Sequence, residues 1–174
     1  ITYMGFNMGH FDKDKGEHVF EPGKKMSDPA LRKAIAYALD NDQVAKETYE
    51  GLRISANTLL SPFFGEIYAD KSEIPGFTYN PEESKKILAD AGYKDTDGDG
   101  YVEDKDGKQL TITLLVAAGS QTDDAVVQQY IEWWKNVGLR VELLNGRALE
   151  FNSYAEKLTK YADDFDMWWI HNRL

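Results

Sequence analysis

The stretch LTITLLVAAGSQTDDAVVQQYIEWWKNVGLRVELL, residues 110–144, carries three signals in a row. Leu110 to Ala118 is almost wholly apolar, with Thr111 and Thr113 inside it, and reads as a mostly buried strand. Asp123 to Val137 has helical spacing, and Val127, Tyr130, Trp134 and Val137 share one face, which predicts Trp134 in the core. Gly138 is placed to end that helix in the left-handed conformation. Arg140 to Leu144 then alternates Val141 and Leu143 as a strand does. Downstream, Phe151, Tyr154, Leu158 and Tyr161 mark another helix and Phe165 to Ile170 a last strand. The second half is therefore β-α-β-α-β, which calls for parallel pairing in at least part of a sheet and places the chain in the α/β (mixed α+β) class.

Upstream the signals are more varied. Residues 1–9, ITYMGFNMG, read as a strand, and the polar segment from His10 to Lys25 as a loop. Asp28 followed by Pro29 marks a helix start, with Leu31, Ile35, Ala38 and Leu39 on its inner face. Asn41 begins a second helix that reaches about Tyr49, where Gly51 ends it. Residues 52–79 are broken up by Pro62, Gly65, Pro75 and Gly76 into a long irregular excursion. Asn80, Pro81 and Glu83 then open a well-signalled helix carrying Ile87, Leu88 and Ala91 inward and closing at Gly92. No internal repeat divides the 174 residues, and one domain is expected.

With 20 Lys and Arg against 30 Asp and Glu, the net charge is −10. Nucleic acid and anionic membrane surfaces need a basic face, so neither is an expected partner. The apolar content of 42% supplies a core, and no run is long enough for a transmembrane segment. Cysteine is absent, which removes disulfides, thiolate metal sites and cysteine nucleophiles together. The chain opens at Ile1 with neither an initiator Met nor a leader pattern, and is read as a piece cut from a longer one.

No catalytic constellation has its usual spacing: there is no His-Glu-x-x-His, no Gly-x-Ser-x-Gly and no phosphate loop. His10 and His18 share a loop and His171 stands near the chain end. Trp168 and Trp169, adjacent on a strand, must point to opposite faces, so one of them can look into a cleft. The strongest local signal is Asp95-Thr96-Asp97-Gly98-Asp99-Gly100-Tyr101-Val102-Glu103-Asp104-Lys105-Asp106. Asp95, Asp97, Asp99, Glu103 and Asp106 fall at positions 1, 3, 5, 9 and 12 of a calcium loop of EF-hand type, with Gly100 at position 6 and the Tyr101 carbonyl at position 7. Asp rather than Glu at position 12 shortens the reach, and a strand instead of a helix follows. The plain alternative is a solvated Asp/Gly hairpin. No cofactor is required, and a structural calcium is the expected metal.

Several segments in order resemble one family, the peptide-binding components of ABC importers. They are Tyr3-Met4-Gly5-Phe6-Asn7, the helix from Ser27 to Asp40 with its Arg-Lys-Ala-Ile-Ala-Tyr-Ala-Leu-Asp run, the Leu60-Ser61-Pro62 turn, Tyr79 to Tyr93, the Leu110 to Val116 strand, Val137-Gly138-Leu139 and Phe165-Asp166. The resemblance implies a periplasmic-binding-protein-like lobe, most of the C-terminal lobe of a two-lobed protein that closes on a peptide and delivers it to permease subunits. It also implies an extracellular protein, lipid-anchored at the cell surface or periplasmic, and no enzyme. The family's acidic and aromatic ligand segment follows the last strand, where His171-Asn172-Arg173-Leu174 departs from the pattern. The ligand contacts carried over are Phe6, Asn7 and Trp169. Two other classes remain open: a calcium-dependent extracellular scaffold module and a carboxylate-dependent hydrolase.

Overall fold

A computed structural model describes residues 1–171, so the departure at Asn172 to Leu174 lies outside the described residues. Four strands form the main sheet: β1 (Thr2–Phe6), β4 (Thr111–Leu115), β5 (Arg140–Leu143) and β6 (Met167–His171), in the order β1-β6-β4-β5. β4 pairs in parallel with both β5 and β6, while β1 closes the edge antiparallel to β6, Thr2 facing His171 and Phe6 facing Met167. The expected β-α-β-α-β half is present, with α4 (Gln121–Asn136) between β4 and β5 and α5 (Phe151–Thr159) between β5 and β6.

Period-two alternation sorts the side chains into two layers. Ile112, Leu114, Val116, Met167 and Trp169 pack with α1 (Pro29–Tyr37), α3 (Pro81–Asp90) and α4 in the larger core. Leu115 and Phe165 face the other way, against Tyr154 of α5, with Trp168 beside them. Trp134 is fully buried in the larger core, as its helical position requires.

The C-terminal carbonyls of α1 have no partners within the helix to satisfy all of them. Ser84 Oγ donates to Ala34 O at 2.6 Å, the Trp134 indole N–H to Ile35 O at 3.1 Å and the Asn80 N–H to Tyr37 O at 2.8 Å. α1 is thus stopped and held by the two helices it packs against. At the other end Asp28 accepts from the Ala30 N–H at 2.9 Å, and Asn80 accepts from the Glu83 N–H at the start of α3.

Two stretches differ from their reading. His10 to Lys25, expected as a loop, contains a hairpin of β2 (Gly9–Asp12) and β3 (Glu17–Phe20). Its turn is built by Asp12, whose carboxylate accepts from the Asp14 and Lys15 N–H groups, and by Gly16 at φ 69°. The second helix begins at Asn41 as a short α2 (Asn41–Gln43) and then widens into a π-helical turn over Val44–Thr48. The excursion after it holds one 3-10 segment, Pro62–Ile67, and is tied back by Lys71 Nζ to Asp42 at 3.1 Å.

Candidate functional site

In open sheets with parallel strands, ligands bind outside the carboxyl ends of the strands. That edge is formed here by the end of β6, the turn from β4 into α4 and the π-helical turn, together with the start of the antiparallel β1. A closed polar network occupies it. Tyr49 donates its hydroxyl to Asp123 Oδ1 at 3.0 Å, and His171 Nε2 reaches Asp123 Oδ2 at 3.0 Å. Thr2 Oγ1 lies 2.6 Å from His171 Nδ1, and an Arg53 N–H donates to the same Thr2 oxygen at 3.3 Å. The Nε2 side of the imidazole thus faces the Asp123 carboxylate and the Nδ1 side the Thr2 hydroxyl. The Arg53 guanidinium lies 3.8 Å above the Tyr49 ring, which joins the two ends of the network.

These five residues come from five separate segments of the chain, and the fold brings them together. Asp123 is set by the first turn of α4, where Ser120 Oγ accepts its N–H at 3.1 Å. Burial, followed by the bond to Asp123, pushes the Tyr49 hydroxyl up to about 12, so it remains a proton donor at neutral pH. None of the five was singled out as a ligand contact from sequence, because Tyr, Arg, Asp and Thr so far apart carry no spacing signal.

Phe6 and Asn7 lie at the opposite, amino edge of the parallel strands, roughly 15 Å along β1 from Thr2. There they line a groove of about 480 Å³ between the hairpin and α5, with Met8, Phe11, Tyr161 and Trp168 among its walls. Asn7 fastens β1 to the start of β6, its side-chain amide donating to Phe165 O at 3.0 Å and Asp163 at 2.8 Å. Trp169 is on neither surface. It is 7% exposed in the larger core, its ring 6.0 Å from that of Tyr130, and it is Trp168 that turns to the groove, because adjacent strand residues alternate. Trp169 touches the carboxyl edge only through the His171 ring, 4.8 Å away.

The acidic loop is a separate feature. Carboxylate oxygens of Asp95, Asp97, Asp99 and Glu103 all lie within 4.8 Å of one another. Asp95 accepts from the Gly98 and Gly100 N–H groups and Glu103, which is buried, from the Thr96 N–H. The Gly100 N–H first of all holds Asp95 below the ordinary carboxylate value. Asp97 moves the other way: the Asp99 N–H lowers it, but desolvation and the charges of Asp99 and Glu103 outweigh that bond and raise it. Arg140 supplies counter-charge, paired with Asp99 at 2.7 Å and stacked 4.1 Å over Tyr101. Asp106, expected at position 12, does not join the group. The chain turns away at Asp104, whose carboxylate accepts the Asp106 and Lys108 N–H groups in a second tight turn through Gly107.

Residues 1–172 match the bacterial extracellular solute-binding proteins, family 5, middle region. The chain belongs to this family. Its relatives in family 5 include the oligopeptide-binding protein OppA of Lactococcus lactis subsp. cremoris, 32% identical over 170 residues, 96% of this chain and 28% of that protein. The oligopeptide-binding protein AppA of Bacillus subtilis is 30% identical over 146 residues, 84% of this chain and 26% of that protein. Among solved structures, lactococcal OppA in complex with an endogenous peptide in the closed conformation superposes with a TM-score of 0.90 at 31% identity, covering 98% of this chain and 32% of that one. The chain therefore spans about 28% of the length of its OppA relative. Family 5 members are extracellular solute-binding proteins. No helix among the described residues is long and apolar enough to cross a membrane.

Proposed function

We propose that this chain is most of the C-terminal lobe of a two-lobed oligopeptide-binding protein that captures peptides outside the cell and hands them to the permease of an ABC importer. The observation that carries the reading is the likeness to peptide-bound lactococcal OppA over 98% of the chain. The carboxyl edge is the wall presented to the cleft, because it is where the fold places convergent polar groups that a peptide's main chain and termini can bond. The protein binds and releases its cargo without chemical change. Lipid anchoring at the cell surface, or free residence in a periplasm, completes the proposal. A cleft ligand is desolvated by two walls, so the isolated 174 residues bind peptides weakly at best. Calorimetric titration of the two-lobed protein with a peptide library and with neutral oligosaccharides tests the reading. Peptide binding without cleavage supports it; binding of the sugars alone, or hydrolysis of the peptides, contradicts it.

The four converging carboxylates favour a second, structural element of the same proposal, a calcium ion held by Asp95, Asp97, Asp99 and Glu103. Crowded like charges raise one another's protonation, as at Asp97, and a divalent cation relieves that repulsion. Its role is to stiffen the connection from α3 to β4, away from the peptide wall. The loop is already anchored on the far side by the Val102 N–H, which donates to Gly138 O at 2.8 Å.

A further inference from the structure

We infer that Arg53 is the group on this lobe that takes a carboxylate of the bound ligand. The inference rests on the peptide reading above and assigns one side of the ligand to one side chain. Arg53 is exposed, and its guanidinium is oriented rather than free. One N–H is spent on Thr2 Oγ1 and one face lies on the Tyr49 ring, while no other described residue takes up the remaining donors of the planar fork. None of the ion pairs among the described residues involves Arg53. The acid nearest to it in the network, Asp123, is already engaged on both oxygens by Tyr49 and His171. Asp123 therefore spends its oxygens inside the network, and none of the ion pairs among the described residues ties a carboxylate directly to the Arg53 guanidinium at the carboxyl edge.

A guanidinium pre-oriented by a stacked ring matches a carboxylate with two parallel N–H···O bonds. In a closed cleft, where water is excluded, such a pair is stronger than on an open surface. The carboxylate has two sources in a peptide, the chain terminus and an Asp or Glu side chain. The chemistry recognised is the same for both.

The test uses the two-lobed protein and four peptides of one length and core sequence: free acid, C-terminal amide, and amides carrying one internal Glu or Gln. Wild type is expected to bind at least one carboxylate-bearing form roughly tenfold to a hundredfold more tightly than its neutral counterpart, the range of a charge-assisted hydrogen bond. Preference for the free acid assigns the terminus, and preference for the Glu-bearing amide assigns the side chain. Arg53→Gln should abolish the preference by weakening the carboxylate-bearing peptides far more than their neutral counterparts, and Arg53→Lys should restore part of it. Matching thermal unfolding of the variants shows that the lobe is intact. Equal affinity of wild type for charged and neutral forms overturns the inference, as does an Arg53→Gln variant that weakens all four peptides alike, since that is the mark of a contact that closes the lobes. No binding of any peptide removes the underlying peptide reading and this inference with it.

Discussion

Asp28 shows how much one side chain can organise. One of its oxygens caps α1 through the Ala30 N–H, and the other accepts the Tyr93 hydroxyl at 2.6 Å and meets Lys105 Nζ at 2.8 Å. Burial alone would raise this carboxyl, but the bonds from Lys105, Tyr93 and Ala30 outweigh it and hold Asp28 below its ordinary value of 3.8. A group with a depressed folded pKa contributes stability that is present above its unfolded pKa and is lost as pH falls through the folded one. Asp28→Ala is therefore expected to cost about 1–2 kcal/mol near pH 7. In urea titrations across pH the gap to wild type should narrow steadily below about pH 4. A gap that stays constant into strong acid would mean that the cap matters and the charge does not. From sequence Asp28 was legible as an N-cap, because Asp before Pro at a helix start is local chemistry. Its bonds to Tyr93 and Lys105 were not, because they depend on how α3 and the following loop come to rest.

At the scale of elements the same division recurs. The face of α4 that carries Trp134 could be read from helical spacing, and that residue is buried as expected. What spacing could not show is that its indole N–H occupies an orphan carbonyl of α1. Trp134→Phe keeps an aromatic ring and loses that bond, so it should lower stability by about 1–3 kcal/mol, the cost of an unsatisfied buried acceptor. An unchanged urea midpoint would refute that account. The hairpin of β2 and β3 was misread because its strands are short and half polar, and the alternation of Phe11 and of Val19 is masked by flanking charges. Gly16 was the available signal, four residues after Asp12, in the left-handed position that a longer hairpin turn uses. For the acidic loop, sequence spacing identified the four converging acids, and Asp106 fell away because Gly107 starts a new turn that register counting does not see. Millimolar calcium should raise the melting temperature of wild type and leave Asp97→Ala unmoved. Equal responses would leave the loop as a solvated hairpin with Arg140 as counter-charge to Asp99.

For the whole molecule, the β-α-β-α-β half and the family were both legible, since buried strands, capped helices and short turns are written in local composition. Where in the fold the carried-over contacts come to lie was not. Phe6 and Asn7 were carried over as ligand contacts, yet the antiparallel pairing of β1 with β6 sets them at the amino edge and brings Thr2 to His171 at the other. Pairing direction and register decide which end of a strand faces a cleft, and neither follows from the strand's own residues. The central claim is that peptide is held at the carboxyl edge. Amide hydrogen exchange of the two-lobed protein, measured with and without saturating peptide, tests it most directly. Slowed exchange is expected over residues 44–53 and 117–124 and at His171, with little change over 7–20 and 157–165; protection confined to the hairpin and α5 groove, or absent from both edges, would contradict the account.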